Sequence, residues 1–188
     1  MIGTGIGKRI IIVLVVLAVV LAGLYLAWRA GWLRPREGVP PAVQKVPEET
    51  RSVTLFFAGE DADRLVSETR EIAVEDGLER QIGAVIAELV KGPTDDDKVS
   101  AIPPGTDVLQ VFWEEETQTV FIDFNRALVS NHPGGSTGEY FTIGMIVQTV
   151  GANFPHVRNL QFLVDGYPVE TIAGHYAVDQ PIDVLRWR

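Results

Sequence analysis

Hydrophobic positions fall into two regimes along this chain. From Ile10 to Trp28, nineteen residues reading IIIVLVVLAVVLAGLYLAW carry no charge. At about 1.5 Å rise per residue, a helix of that length spans roughly the 30 Å hydrocarbon core of a bilayer. Lys8 and Arg9 precede the run, Arg29, Arg34 and Arg36 follow it, and Tyr25, Trp28 and Trp32 stand where amphipathic rings favour the interface. A signal peptide would have an apolar stretch of about 7–15 residues ending in a small-x-small site, whereas this one is longer and runs into Trp28-Arg29. The expected layout is a cytoplasmic N-terminus over 1–9 and an uncleaved transmembrane helix over 10–30.

Beyond it the pattern breaks into short segments. Residues 31–50 form a linker whose Pro35, Pro40, Pro41 and Pro47 favour an extended, semi-rigid spacer. Val53–Ala58 and Leu65–Val74 are β-rich runs around a polar turn, and they read as a strand pair. Leu78, Ile82, Val85, Ile86 and Leu89 then recur at helical spacing. Asp76 with Glu79 forms a capping box before that helix, and Lys91-Gly92-Pro93 supplies the cation, the glycine and the stop after it.

Val108–Trp113 and Thr119–Phe124 flank EEETQ and read as a hairpin. In its second strand Val120, Ile122 and Phe124 give an apolar face, and the alternate Phe121, Asp123 and Asn125 turn polar toward the end, so Asp123 is expected to end the strand on the open face. HPGGSTG precedes a second helix, where Ser136 and Glu139 repeat the Ser-x-x-Glu capping signature and Ile143, Ile146, Val147 and Val150 form the apolar stripe. Asn159–Val164 is a last strand. Asp165-Gly166 follows it, and Asp-Gly between two extended runs specifies a hairpin because a type I′ turn needs positive φ at both central residues. Pro168 then fits an edge strand. The order β-β-α-β-β-α-β predicts an α+β, two-layer domain over 51–188, with two helices on one mostly antiparallel or mixed sheet.

Charge narrows the partners. The whole chain has a net charge of −9, but residues 51–188 hold 22 acidic against 10 basic side chains, a balance of −12. Such a domain has no basic surface to neutralise phosphates, which excludes nucleic acid, and it would be repelled by an anionic cytoplasmic leaflet. Flanking charges of the helix, two before and three after, do not settle orientation, so the acidity favours a domain outside the cytoplasm. There is no cysteine, hence no disulfide, no thiolate metal site and no residue to acylate as a lipoprotein.

Candidate chemistry gathers in VDGYPVETIAGH, where Asp165, Gly166, Tyr167 and His175 fall close together. Asp165 and Gly166 are most simply the turn. His132, His156 and His175 share no ligand spacing, so no metal or other cofactor is expected. Ser136 lies in no nucleophile elbow, the glycine-rich loop lacks the lysine of a phosphate loop, and Asp95–Asp97 have no alternating calcium-ligand order.

LVKGP, IPPGT, VFIDFN, GEYFTIGMIVQTV, LQFLVDG and the later GH, in that order, resemble the GerMN domain, the sporulation and spore germination family. The resemblance covers 53–184. It implies a small α+β domain outside the cytoplasmic membrane, similar in fold to ring-building modules of secretion systems. It also implies a role in envelope assembly and no established catalytic centre.

The leading expectation is therefore a membrane-anchored, non-enzymatic interaction module that self-associates or docks an envelope protein through a sheet edge or open face. The alternative is a sensor of a small or cell-wall ligand, built from Asp123, Tyr167, His175 and Trp113 around a concave face.

Overall fold

The structure is a computed structural model that describes residues 4–31 and 49–187, with side chains from Ile11 onward. The chain divides into two units, 1–45 and 46–188. In the first, helix α1 covers Thr4–Arg29. Its stretch Ile11–Arg29 has mean hydropathy 2.9 and no buried part, so by length and composition it can cross a membrane. Lys8, Arg9, Trp32, Arg34, Arg36 and most of the proline-rich linker lie outside the residues whose side chains are described.

The second unit is α+β, and its elements follow the expected order with additions. Strands β1 (Thr50–Gly59) and β2 (Leu65–Ala73) form the first hairpin, followed by α2 (Leu78–Val90), β3 (Lys98–Val99), β4 (Val108–Glu114) and β5 (Thr119–Phe124). Next come a four-residue helix α3 (Ala127–Ser130), α4 (Ser136–Asn153), β6 (Asn159–Val164), β7 (Tyr167–Pro168), β8 (Ile182–Asp183) and a closing 3₁₀ turn, Val184–Trp187.

The expected single sheet is two. One has the order β2-β1-β3, and the other runs β4-β5-β6-β7 with β8 also paired to β6. Strand β5 pairs antiparallel with β4 but parallel with β6, because α3 and α4 carry the chain back across the sheet between them. As a central strand β5 is buried on both faces, which corrects the expectation that Asp123 faces the open side.

Helix α4 explains why the sheets separate. It carries buried residues all round, from Phe141 and Thr142 through Ile146 to Val150, as a helix does when it lies inside a core and not on a surface. Two of its polar side chains take the place of a strand. Asn153 accepts the Thr54 N–H at 3.0 Å and donates to the Thr54 carbonyl at 2.6 Å, and Thr149 Oγ1 accepts the Phe56 N–H at 3.0 Å. The edge of β1 is thus closed by a helix. Asn153→Ala would leave both Thr54 groups without partners. It should cost about 2 kcal/mol in chemical denaturation, with an unchanged m-value.

Neither capping box forms. Both helices start from a glycine at positive φ, Gly77 at 87° and Gly135 at 84°, with no side-chain cap. That puts Asp76 one residue too early and Ser136 one residue too late to cap. The far end of α2 matches expectation, with Gly92 at φ 87° and its N–H donated to Leu89 O at 3.0 Å. One core joins these elements: Leu55 and Phe57, Ile82 and Leu89, Ile122 and Phe124, Met145 and Ile146, and Phe162 are all fully buried. Phe124 and Phe162 stack across the parallel pair at 6.0 Å.

Candidate functional site

The sequence-selected residues assemble into two separate places. At the C-terminal ends of β5 and β6, Asp165 and Gly166 turn the chain with φ 50° and 84°, and Val164 pairs with Tyr167. This is the expected Asp-Gly hairpin. Asp123, only 8 % exposed, accepts the Gly166 N–H on Oδ1 at 2.8 Å, and the Asp165 N–H donates to Phe124 O at 2.9 Å. Asp123 therefore fixes the turn from the neighbouring strand.

Beside this turn is an open groove of about 490 Å³. Val129, Val164 and Val169 line it together with Arg126, Asp165 and Tyr167. Tyr167 is 75 % exposed, and the Arg126 guanidinium lies 3.7 Å from Asp165 Oδ2 at the solvent side. An apolar lining with a phenol and an ion pair suits binding of a small amphipathic group. Its one buried carboxylate neighbour, Asp123, is held by a backbone N–H and has no partner base in the groove.

His175 belongs elsewhere, at the start of α4. Glu139 is fully buried there, and its carboxylate accepts the N–H groups of Ile172 and Ala173 at 2.9 Å each and of His175 at 2.8 Å. His175 Nδ1 also lies 3.2 Å from Glu139 Oε2. Burial pushes the Glu139 carboxyl up, but the N–H groups of Ala173, His175, Ile172 and Tyr176 outweigh it and hold it below the ordinary value of 4.5.

His132 packs at the same helix start. Its Nδ1 accepts the Gly134 N–H at 3.0 Å, so the ring proton sits on Nε2, 3.1 Å from Thr142 Oγ1, which donates onward to Ala101 O at 2.7 Å. Burial lowers the His132 pKa below 6.5, with Glu139 opposing and His175 assisting.

Trp113 sits apart, edge-on to His156 at 5.7 Å. Asp95 and Asp97 of the acidic loop are held by Lys98. Among the described residues no group of three histidine or acidic side chains is placed to hold a metal.

Sequence reasoning missed two polar centres, the Glu139 hub and a cluster in which Arg70 lies 2.6 Å from Glu68 and 3.0 Å from Glu88. A signal for each was present. Glu139 begins an otherwise apolar helix, and Glu68 and Arg70 occupy inward positions of a strand whose neighbours at those positions are Val66 and Ile72.

Comparison with known proteins places this geometry. The family model Germane, described as sporulation and spore germination, matches residues 54–170. A putative lipoprotein from Clostridium perfringens superposes with a TM-score of 0.52 at 23% identity, over 71% of this chain and 87% of its own. The tandem GerMN domains of the sporulation protein GerM from Bacillus subtilis give 0.53 at 17% identity, over 71% of this chain and 45% of theirs. The first of those domains alone gives 0.51 at 12% identity, over 71% of this chain and 94% of its own. These likenesses establish the fold, and no curated protein matches the chain. With the family model spanning most of both sheets together with α2 and α4, the chain belongs to the Germane family of sporulation and spore germination.

Proposed function

We propose that this protein is a single-pass, membrane-anchored module of the cell envelope whose 49–187 domain faces outside the cytoplasm and acts by binding, without bond-making chemistry. The anchor is α1, a helix long and apolar enough to cross a membrane. Support for the outward orientation is the −12 balance of residues 51–188, which an anionic cytoplasmic leaflet would repel. The observation that carries the binding reading is the fate of the three buried carboxylates, of which Glu68 is paired with Arg70. Asp123 and Glu139 both accept backbone N–H groups and hold loops in place, where catalysis would need one of them facing a substrate beside a base. Family membership points the role toward sporulation and germination.

A second reading, a sensor of a small envelope ligand, is favoured by the groove at Tyr167. Protease added to intact spheroplasts should degrade the domain, and sealed inverted vesicles should protect it; the reverse pattern overturns the orientation. Full-length protein in detergent, incubated with muropeptides, should leave them uncleaved. Turnover would end the binding-only reading. A rise in Tm without turnover, abolished by Tyr167→Ala, would move the function to the sensor.

A further inference from the structure

We infer that the free edge of β2 is a docking surface for a second copy of this chain, the two β2 strands pairing antiparallel about a twofold axis through Thr69. This names the surface and partner for the binding module proposed above and rests on that reading. The hydrogen-bond phase of the hairpin is the first observation. Val74 N–H donates to Glu49 O at 2.8 Å and Gly59 N–H to Arg64 O at 2.9 Å, in register with the pairing of β1 and β2. In an antiparallel pair, bonded and non-bonded residues alternate. The even-numbered residues of β2 therefore turn their backbone groups to β1. Odd-numbered Leu65, Ser67, Thr69, Glu71 and Ala73 turn theirs outward. The same phase makes Thr54 and Phe56 point away from β2, where Asn153 and Thr149 meet them.

The second observation is that the other long edges are managed. Thr149, Asn153 and β3 cover β1, a register shift between Val108 and Gln110 interrupts β4, and α2 packs against that strand with Val111 close over Gly83. Strands β7 and β8 have two residues each. Among the described residues, β2 is the one strand of nine residues with an unpaired edge.

Charge complementarity selects the occupant. A twofold axis normal to the sheet keeps inward side chains opposite inward ones, so it must pass through a residue. Through Thr69 it sets Glu68 opposite Arg70 of the second copy, Val66 opposite Ile72, Ser67 opposite Glu71 and Thr69 opposite itself. All nine residues overlap, no like charges face each other, and about ten backbone hydrogen bonds become available. An axis through Glu68 or Arg70 places identical charges in opposition, and one through Ser67 or Glu71 loses nearly half the strand. A groove of about 380 Å³ between β2 and α2, lined by Ile72, Ala84 and Ala87, receives Val66 of the second copy.

The chain has no cysteine, so single substitutions report the register. In a hydrogen-bonded pair the Cα atoms lie about 5.5 Å apart, within disulfide reach, whereas the two copies of Ser67 would be roughly 14 Å apart. Full-length Thr69→Cys in lipid vesicles under mild oxidation should cross-link at least tenfold faster than Ser67→Cys or Glu71→Cys. Adding Glu71→Pro, which removes an outward N–H that β1 does not use, should abolish the cross-link while the Tm moves by only a few degrees. Equal rates at positions 67 and 69, or a cross-link that survives the proline, overturn the pairing. Failure here leaves the binding module standing, because that reading is tested by topology and turnover.

Discussion

Glu139→Ala should produce the largest loss of stability of any single substitution described for this domain, about 3–5 kcal/mol, seen as a fall in Tm of more than roughly 10 °C. The carboxylate is fully buried and is the acceptor for the N–H groups of Ile172, Ala173 and His175. Removing it leaves these donors facing a cavity. Each unsatisfied buried group costs about 1–3 kcal/mol before the loop relaxes toward water. Glu139→Gln keeps the shape and one acceptor oxygen, so it should retain part of the lost stability. A change below about 1 kcal/mol for Glu139→Ala would show that the 170–176 loop is held by its apolar anchors, Ile172 and Val178, and not by the hub.

The same hub fixes the sign of the acid response. The Glu139 pKa is lowered in the folded state, so its contribution is complete above the unfolded value near 4.5 and disappears as pH falls through the lower folded value. His132 is also lowered, from 6.5. Its contribution is complete above 6.5 and declines as pH falls below it, because the unfolded chain then takes up a proton that the folded ring resists. Stability should therefore fall in two stages on acidification. In His132→Asn the stage beginning near pH 6.5 should be missing.

Arg70→Met should be the second most damaging change, at about 3 kcal/mol, although methionine fills much of the same volume. Arg70 bonds Glu68 and Glu88, donates to the Glu88 and Gly92 carbonyls, and lies over the Phe57 ring at 5.5 Å. Its loss leaves Glu68, with a side chain 6% exposed, with Lys98 at 4.0 Å and the Thr94 donors among the described residues. Arg70→Lys should recover little, since one ammonium cannot reach two carboxylates and two carbonyls at once. Urea denaturation of Arg70→Met against the double variant Arg70→Met/Glu68→Gln separates the two causes. Removing the stranded charge should restore at least 1 kcal/mol; no recovery would assign the loss to packing on Phe57.

Local structure was legible where one chemical rule decides it. Nineteen uncharged residues specify α1, the spacing of Ile82, Val85, Ile86 and Leu89 specifies the buried face of α2, and Asp165-Gly166 specifies a turn with two positive φ angles. Rules about spacing alone failed at both capping boxes, since a glycine at positive φ immediately before each helix shifts the residues out of capping position.

Short-range chemistry carries the apolar helix α1, the order of the longer strands and helices, the buried face of α2 and the Asp-Gly turn, since each depends on residues within a few positions of one another. Long-range packing settled that the strands form two sheets, that α4 lies inside the core, and that Asp123 and Glu139 hold loops. Those outcomes depend on partners far along the chain: Asp123 meets Gly166 43 positions on, and Glu139 meets Ile172 at 33 and His175 at 36. A buried carboxylate must find donors wherever the fold brings them, and periodicity carries no record of which donors those are.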